Sequence, residues 1–398
     1  MASRRCSSPL TRRDFLGRSV VAAGVLAGGP LLATRAGAQD EARKRVVYRP
    51  LGRTGFRVSH VVAAWDWNEW LYGEAVDVGI NYWHKIAGWP ELPEPIRKLD
   101  REAWYCDIAI DSFEEEGAYE QFEWARKNLG LQYIDAIKLH SIHKTPEDVT
   151  AKTGYLKAFD RLKNEGKVRH LAAAQHGGET AAICAAMIES GHFDHLQPAL
   201  SVAPTPDMLT MLDLARQRNV GIIAKKVMGA VNRAQQDPGT KAEVEKHLGK
   251  DGKWGAAVIK TVLSYPGVTA VTPRCANYQQ FVDNLSTEGL EPTPGEVGAV
   301  EAIRRYARAE QCSYCGKCLG SCPQGIAIPD TLRYATYCSA YGLAPQARRL
   351  YARLPRERRA EACADCGACE RVCPQGMEVR RKLCEARALL GRSGLSKS

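Results

Sequence analysis

The chain has 398 residues, 45% of them hydrophobic and 25% charged, and carries a formal net charge of +10 at pH 7. This composition excludes collagen-like, low-complexity and wholly disordered chains, and the length allows one large domain and one small one. The positive charge lies at the two ends: residues 1–38 carry six Arg and one Asp, and residues 301–398 carry 18 Lys plus Arg against 9 Asp plus Glu. With no nucleic-acid-binding motif in the sequence, we expect no nucleic acid partner.

The N-terminus has the three regions of an export signal in the usual order. Thr11–Leu16 reads Thr-Arg-Arg-Asp-Phe-Leu and resembles a twin-arginine signal, an apolar stretch covers Val20–Ala33, and Ala36-Gly37-Ala38 is an A-x-A type cleavage site. The apolar stretch is too short and too weakly hydrophobic for a stable membrane span. We predict a signal peptide over residues 1–38, recognised by the twin-arginine export machinery, and a periplasmic or otherwise extracytoplasmic location for the folded protein. A disordered basic tail is the alternative.

Eight β-rich segments between residues 58 and 272 predict strands. They are Val58–Ala64, Ile80–His84, Tyr105–Asp111, Tyr133–His140, Val168–Gln175, His195–Ser201, Val220–Val227 and Val268–Thr272. Amphipathic stretches lie between most of them, at Phe113–Leu129, Thr145–Glu165, Thr180–Ser190, Pro206–Arg218 and Trp254–Tyr265. Eight strands alternating with helices predict a (β/α)8 TIM barrel. A doubly wound sheet is the alternative, but no G-x-G-x-x-G follows the first strand. Residues 233–252 predict a polar insertion.

Polar side chains stand where several predicted strands end. In a (β/α)8 barrel the reactive side chains lie at these ends, which meet on one face. His84, Asp111 and His140 end the second, third and fourth strands, His176 follows the fifth, and Lys226 lies near the end of the seventh. We identify His84, Asp111, His140 and Lys226 as candidate catalytic residues. The two histidines are suited to acid and base chemistry near neutral pH, and Lys226 to holding an anionic substrate.

Two other readings of these histidines stay open. A histidine at a strand end is often a hydrogen-bonded structural residue, and imidazole and carboxylate side chains together also suit several metals. No H-x-H or H-E-x-x-H spacing supports a metal centre at the mouth.

Eight cysteines near the C-terminus form two copies of C-x2-C-x2-C-x3-C-P. The first copy is Cys312, Cys315, Cys318 and Cys322, and the second is Cys363, Cys366, Cys369 and Cys373. This is the spacing of [4Fe-4S] proteins, and in two-cluster members the fourth cysteine of each copy binds the other cube. We predict one cluster on Cys312, Cys315, Cys318 and Cys373 and another on Cys363, Cys366, Cys369 and Cys322. Zinc ribbons instead use two C-x2-C pairs, and disulfide scaffolds are small domains without a core of their own.

The clusters predict transfer of single electrons to or from a redox partner protein. Two cubes with four thiolates each are net anionic, so the basic residues of 301–398 can offset their charge. An acidic redox partner that docks on these basic residues is the alternative explanation of the charge.

Short segments of residues 46–300 resemble, in the same order, segments of the aldo/keto reductase family. Tyr48–Ser59 resembles the opening of that family, Asp77–Trp83 its second strand, Tyr133–His140 its fourth, Gly166–Arg169 the turn before its fifth, and Val271–Pro273 with Asn284 its closing nucleotide-phosphate segment. A branch of the family carries a C-terminal iron–sulfur domain, and the chain is similar to an exported member with two clusters. The resemblance implies a barrel over 46–300 and a small, mainly helical, two-cluster ferredoxin-like domain over 301–398.

The resemblance also shows what has changed. The family reduces carbonyls with NADPH, using Asp, Tyr, Lys and His, in which the Tyr donates a proton. The matching positions here hold His84, Trp89, Asp111 and His140, so only the histidine is kept. Tryptophan offers only a weakly acidic indole N–H.

The nucleotide pocket of the family is altered as well. Its Ser-Asn pair reads Ala174-Gln175, and the glycine of its phosphate loop aligns with Arg274. Arg274 and Asn284 are the remaining candidates for cofactor contacts. We therefore do not expect ordinary NADPH-dependent carbonyl reduction.

Three functions remain open, in this order of preference. The first is an exported oxidoreductase whose barrel mouth binds a small organic substrate and whose two [4Fe-4S] clusters carry the electrons. The second is a non-enzymatic electron-transfer subunit in which the barrel is a docking platform. The third is an NAD(P)H-dependent carbonyl reductase with a changed proton donor, such as His84. Export favours the first, because free nicotinamide nucleotides are expected to be scarce outside the cytoplasm.

Overall fold

The computed structural model describes residues 46–64, 67–275, 277–287 and 291–391. The predicted signal peptide over residues 1–38 lies outside these residues. Within them, every helix is too short or too polar to cross a membrane. The described residues belong to one compact unit.

An antiparallel hairpin precedes the barrel and packs against the end of the barrel where its strands begin. Its strands are β1 (Tyr48–Pro50) and β2 (Arg57–Ser59), with Tyr48 opposite Ser59. Gly52 lies in the hairpin turn with φ +53°, and a Cβ there would come within 2.2 Å of the Gly221 nitrogen. Only glycine allows this close approach.

Eight parallel strands form the barrel. They are β3 (Ala63–Ala64), β4 (Tyr82–His84), β5 (Tyr105–Ile110), β6 (Ile134–His140), β7 (Val168–Gln175), β8 (His195–Pro198), β9 (Gly221–Lys225) and β10 (Val268–Thr272). Each pairs with the next along the chain. The sheet closes where Val62 N donates to Val271 O at 3.0 Å and Val271 N donates to His60 O at 2.7 Å. This confirms the predicted (β/α)8 barrel.

Helices surround the barrel between successive strands. They are α1 (Leu71–Val78), α2 (Glu94–Arg97), α3 (Glu115–Asn128), α4 (Asp148–Ala151), α5 (Gly154–Asn164), α6 (Thr180–Glu189), α7 (Pro206–Gln217), α8 (Gly229–Ala234), α9 (Pro238–Leu248), α10 (Trp254–Leu263), α11 (Tyr278–Leu285) and α12 (Pro294–Glu310). Their apolar faces and the strands enclose the large core of the barrel.

Three predicted segments differ from the structure by more than the position of an element's end. The first predicted strand, Val58–Ala64, is divided between the hairpin and the barrel. The helix predicted over Thr145–Glu165 is two helices, α4 and α5; a Cβ on Gly154, at the start of α5, would lie 2.6 Å from Phe113 O. The polar insertion contains the helix α9, which begins with Pro238 and has the Asp237 carboxylate as its N-cap acceptor.

The C-terminal region is small and mainly helical, as predicted. Its helices are α13 (Ile328–Tyr341), α14 (Ala344–Ala352), α15 (Ala368–Arg371) and α16 (Val379–Leu390). They enclose a separate apolar core that includes Leu332, Tyr351 and Leu383, and several of the motif cysteines pack against it. Helix α13 carries this region across the end of the barrel where the strands finish.

Candidate active site at the barrel mouth

A cavity of about 180 Å³ occupies the end of the barrel where the strands finish. Strand ends supply His84 from β4, His140 from β6 and Lys225 from β9. The C-terminal region forms the roof. The residues that line the cavity are Ala64, His84, Lys85, His140, His176, Lys225, Lys226, Val227, Met228, Thr272, Pro273, Arg274, Tyr337, Tyr341, Leu343 and Gln346. We call this space the mouth cavity.

Backbone strain marks the strand ends at this cavity. Lys85, Ser141 and Lys226 directly follow β4, β6 and β9, and their φ angles are 60°, 57° and 62°. A left-handed conformation costs a residue with a Cβ on the order of 1–3 kcal/mol, and such residues cluster at functional sites. The strain is consistent with selection for where these side chains point.

A buried ion pair lies beneath the cavity. Asp107 and Lys138, on adjacent strands β5 and β6, are both fully buried and bonded to each other. The Asp107 carboxylate also accepts from the Tyr82 hydroxyl at 2.9 Å, from Gln197 Nε2 at 2.8 Å and from the Lys85 backbone N–H at 2.8 Å. Burial acts to raise the pKa of Asp107, but Lys138 and the hydrogen bonds to the carboxylate keep it well below its usual range. Asp107 is therefore ionised.

His84 connects this ion pair to the cavity. Its Nδ1 lies 2.6 Å from Lys138 Nζ, and its Nε2 lies 2.7 Å from Lys225 Nζ. Burial and the two lysines hold the pKa of His84 well below its usual value, so the ring is neutral and carries one N–H. Nδ1 of His84 also lies 3.2 Å from Asp107 Oδ2, so this nitrogen is shared between a donor, Lys138, and an acceptor, Asp107. The other ring nitrogen is contacted by the buried Lys225. The pKa of Lys225 is lowered well below the usual value by burial and by the neighbouring Lys138 and Lys226.

Two further histidines form a second chain of contacts. His176 Nε2 lies 3.2 Å from His140 Nε2, and His176 Nδ1 lies 3.0 Å from Arg333 Nη1 on α13. Because a guanidinium can only donate, Nδ1 of His176 accepts and its Nε2 carries the proton that reaches His140. Burial and nearby cations lower the pKa of both rings well below the usual value. Both imidazoles are neutral near pH 7.

The wall of the mouth cavity is positively charged. Lys85, Lys226 and Arg274 line it together with Lys225, and the described part of the chain contributes no Asp or Glu to this lining. Arg274 Nη1 also donates to Tyr341 O at 2.6 Å. The roof adds the phenols of Tyr337 and Tyr341.

The structure brings four of the predicted residues together and leaves two apart. His84, His140, Lys226 and Arg274 line the mouth cavity. Asp111 is exposed and accepts a hydrogen bond from Gln121 Nε2 on α3 at 2.8 Å, because β5 ends at Ile110. Asn284 is buried away from the cavity, and its Nδ2 donates to Cys275 Sγ at 3.0 Å.

Sequence reasoning missed the residues beneath and above the cavity. Asp107 and Lys138 stand in the middle of strands, four residues before Asp111 and two residues before His140. A signal was present for Lys138, because side chains two residues apart in a strand point to the same face, and Lys138 therefore shares the face of His140. Nothing in the barrel sequence could have indicated the roof phenols, because they come from the other region of the chain.

The cysteines of the two motifs approach one another, and Cys318 of the first copy has both Cys369 and Cys373 of the second as neighbours. Burial raises the pKa of the Cys312 thiol, and its thiol neighbours are Cys318, Cys315 and Cys373. Cys369 of the second copy instead has Cys322 and Cys363 as neighbours. A bound cube would offset the free-energy cost of ionising these buried thiols, because coordination to iron deprotonates them. Among the described residues, no three His, Cys, Asp or Glu side chains converge as ligands of one ion, whereas a cube needs thiolates on four separate irons.

Lys226 borders both the mouth cavity and a space beside the first cysteine motif. Lys226 lines the mouth cavity and also a second, smaller space whose wall includes Cys312 and Tyr314. The loop that carries these residues is tied to the barrel, since Thr180 N at the start of α6 donates to Tyr314 O at 3.2 Å. The first motif therefore lies next to the barrel mouth.

Comparison with known families gives two matches. Residues 107–314 match the model of the aldo/keto reductase family. Residues 311–378 match the model of a 4Fe-4S dicluster domain. No curated protein sequence matches the chain.

Solved structures of aldo-keto reductases share the barrel. The holo form of AKR11C1 from Bacillus halodurans has a TM-score of 0.51 at 14% identity, over 66% of this chain and 96% of that one. Its apo form has a TM-score of 0.51 at 15% identity, over 67% of this chain and 99% of that one. At these identities the likeness concerns the fold alone.

Proposed function

The chain belongs to the aldo/keto reductase family and carries a 4Fe-4S dicluster domain, and from these two facts, together with the signal-like residues 1–38, we propose that it is an exported iron–sulfur oxidoreductase. Its mouth cavity binds a small organic anion that contains an alcohol or a carbonyl group. The electrons pass through two [4Fe-4S] clusters to or from a partner protein, without a nicotinamide nucleotide.

The observation that carries this proposal is the position of Lys226. The same side chain lines the mouth cavity and the space beside Cys312. A substrate in the cavity would therefore contact a residue that also borders the first cysteine motif. Clusters on these cysteines supply single-electron transfer. A docking platform without an enzymatic role would not need a cavity at this point.

The charge of the cavity wall supports an anionic substrate. Lys226 and Arg274 face the space, and no carboxylate that could balance their charge is among the described residues that line it. A carboxylate or phosphate group would supply that balance, and charge-assisted hydrogen bonds to it would be short and strong. Arginine is especially suited to bind either group with two parallel hydrogen bonds.

The size of the cavity argues against a dinucleotide. Pockets for drug-sized ligands have volumes of roughly 300–1,000 Å³, whereas the mouth cavity measures about 180 Å³. The space is reduced by the roof, in which Arg274 is bonded to the Tyr341 carbonyl. Asn284, the other candidate for nucleotide contact, points elsewhere.

The remaining polar residues position the substrate and disfavour a positively charged one. The neutral His140 presents a ring nitrogen at the cavity that orients a hydroxyl or carbonyl oxygen. Asp107 and Lys138 both contact Nδ1 of His84, and Lys225 contacts its Nε2, so the ring is held between the ion pair and the cavity.

The export part of the proposal rests on residues 1–38 alone and predicts that replacing both Arg12 and Arg13 by Lys keeps the protein in the cytoplasm.

The enzymatic part can be tested by binding and turnover on the anaerobic holo-protein. The probes are glycolate with glyoxylate, lactate with pyruvate, and glycerol 3-phosphate with dihydroxyacetone phosphate, with viologen and ferricyanide dyes as electron carriers. We expect at least one pair to bind and to be interconverted. Lys226→Met should weaken binding by about 10- to 100-fold, the value of one charged hydrogen bond.

Lys241→Met is the matched control, because Lys241 lies on the outer helix α9 with Glu245. It should leave binding unchanged. Tight binding of NADPH together with NADPH-driven turnover would contradict the proposal, as would equal binding of the probes to the Lys226→Met and wild-type proteins.

A further inference from the structure

Tyr337 is the buried phenol that faces the mouth cavity from the C-terminal region. It lies on α13, is 5% exposed, and lines the cavity opposite the strand ends. The position of α13 is set by bonds to the barrel at its C-terminal end. Asn232 Nδ2 donates to Ala340 O at 2.9 Å, and the Tyr341 hydroxyl donates to Lys226 O at 3.4 Å. The phenol is therefore held in place by contacts that do not involve its own hydroxyl.

Two cationic side chains lie against this phenol. Lys226 Nζ is 4.4 Å from the centroid of the Tyr337 ring, and the guanidinium carbon of Arg333 is 5.9 Å from it. The other titratable groups that face Tyr337 are His176 from the loop after β7, Tyr334 and Tyr341 from α13, and Tyr314 from the first cysteine loop. No carboxylate is among them.

The charges around Tyr337 make the loss of its proton easier than in an ordinary tyrosine. Burial acts to raise the pKa of Tyr337, but Lys226 and Arg333 outweigh burial and leave the pKa below that of an ordinary tyrosine. The other phenol of the roof behaves in the opposite way, since burial raises the pKa of Tyr341 well above the usual value. The cavity thus has one phenol that can lose its proton readily.

The proton of Tyr337 is also available. The nearest acceptor is His176 Nδ1, at 3.4 Å from the hydroxyl, but Arg333 Nη1 already donates to that nitrogen from 3.0 Å. The neighbouring imidazoles are not better acids, because both His140 and His176 are neutral rings with lowered pKa values. Of the two phenols at the wall, Tyr337 is the one that gives up its proton more readily to a substrate oxygen in the cavity.

From this geometry we infer that Tyr337, a residue of the cluster-bearing region, is the general acid and base of the barrel site, with Lys226 and Arg333 as its positioning cations. In the reducing direction the carbonyl takes up two electrons from the clusters and two protons: the Tyr337 O–H bond breaks as an O–H bond forms on the substrate oxygen, and a proton from solvent water forms the C–H bond on the substrate carbon. The phenolate that remains is stabilised by the two cations. In the oxidising direction the phenolate takes the hydroxyl proton of the alcohol, water takes the proton from the carbon, and the two electrons pass to the clusters. The inference rests on the proposed function, because it assigns the acid of that same site.

The consequence is that neither region is a complete enzyme. The barrel supplies the substrate cations, and the C-terminal region supplies the proton donor together with the cysteines. Correct docking of α13 therefore assembles the proton route and the electron route at one time.

The first test needs no substrate. Holo-protein labelled with ¹³Cζ-tyrosine is titrated by NMR with its clusters oxidised, and the Tyr337 signal is identified by its loss in Tyr337→Phe. We expect the phenol to titrate below the other buried tyrosines, and to titrate at higher pH in Lys226→Met. Titration of Tyr337 at an ordinary or higher pH, or an unchanged midpoint in Lys226→Met, would overturn the inference.

The second test is turnover of whichever probe pair the wild-type protein interconverts. Tyr337→Phe should lower the rate by about 10²- to 10⁴-fold, the usual contribution of a general acid, with cluster spectra and probe binding unchanged. Tyr334→Phe is the matched control: it removes a buried phenol from the same helix, also bonded to Arg333, that does not line the cavity. Its rate should stay within about threefold of wild type.

The outcomes separate this inference from the proposed function. If Tyr337→Phe turns the probe over at the wild-type rate, Tyr337 is not the acid, although the proposed function stands. If no probe reacts with the wild-type protein, the proposed function fails for these substrates, while the titration still decides whether Tyr337 is an activated phenol.

Discussion

The indole N–H of Trp89 donates a hydrogen bond to the hydroxyl of Tyr72 over 2.8 Å. The two rings meet edge to face at 5.3 Å, and Trp83 packs against both. All three side chains are buried, and none lines the mouth cavity. By the family resemblance, Trp89 aligns with the proton-donating tyrosine of the aldo/keto reductases. Here it belongs to an aromatic cluster in the wall, and among the described residues no phenol from the barrel lines the mouth cavity.

Restoring a tyrosine at this position should therefore not restore a reductase. We expect Trp89→Tyr to lose ring contacts and the bond to Tyr72, at a cost on the order of 1–3 kcal/mol, and to show no NADPH-dependent reduction of glyoxylate. Thermal unfolding and an NADPH absorbance assay measure the two effects. NADPH-dependent reduction by the variant would mean that the mouth accepts a nucleotide after all.

The ion pair beneath the cavity should be a major source of stability. Asp107→Asn leaves the Lys138 ammonium buried without a counter-ion, and breaking a buried pair in this way costs about 3–5 kcal/mol. Because the folded pKa of Asp107 lies below its unfolded value, the stabilisation is complete above about pH 5 and is lost as the pH falls towards the folded pKa. The difference in thermal midpoint between wild type and Asp107→Asn should be large at pH 7 and should shrink on acidification.

The double variant Asp107→Asn with Lys138→Met provides the control for that pair. It removes both charges, so it should recover much of the stability that Asp107→Asn loses. A double variant that is less stable than either single variant would show that the two residues do not act as a pair.

Binding of an anion in the mouth cavity should take up a proton. Burial and the neighbouring Lys138 and Lys226 lower the pKa of Lys225 in the free protein, which favours its uncharged amine beside His84 Nε2 at 2.7 Å. A carboxylate or phosphate beside it favours the charged form and raises its pKa. Calorimetry of a bound probe in buffers of different protonation enthalpy should therefore report uptake of protons near pH 7, and Lys225→Met should abolish it. Equal binding enthalpies in all buffers would contradict the uncharged state of Lys225.

The crosswise assignment of the cysteines predicts different losses of iron for different pairs of substitutions. Replacing Cys312 and Cys373 by Ser removes two ligands of one predicted cluster, so about four of eight irons should remain. Replacing Cys312 and Cys322 removes one ligand from each cluster and should damage both. Iron analysis and electron paramagnetic resonance of the reduced variants distinguish the two. If the double variant Cys312→Ser, Cys322→Ser instead kept one intact cluster, each motif would bind its own cube.

The sequence predicted the barrel because hydrophobic periodicity and β-branched runs are local signals. It also placed His84, His140 and Lys226 at the mouth, since strand ends converge by topology. It erred in the position of Asp111 because β5 ends one residue earlier, at Ile110, and the side chain turns to Gln121. Ends of elements are set by tertiary contacts that a local pattern does not contain.

Tyr337 was beyond the reach of that reasoning for a different physical reason. Its neighbours Lys226 and His176 are 111 and 161 residues away along the chain, and only the docking of α13 on the barrel brings them together. A tyrosine in an amphipathic helix reads as a core residue. The cysteine spacing, in contrast, needed no docking to be recognised, because each motif binds iron through one short loop.

The most direct test of the account is a single turnover followed at the clusters. Anaerobic holo-protein is reduced with dithionite, freed of excess reductant and mixed with glyoxylate, pyruvate or dihydroxyacetone phosphate, and the oxidised protein is mixed with the matching alcohols. The account predicts that one pair changes the oxidation state of the clusters and yields one molecule of product for every two electrons. Tyr337→Phe and Lys226→Met should slow this exchange. The account would be contradicted if the clusters stayed in the same oxidation state with every pair while the protein converted the same probes when given NADPH.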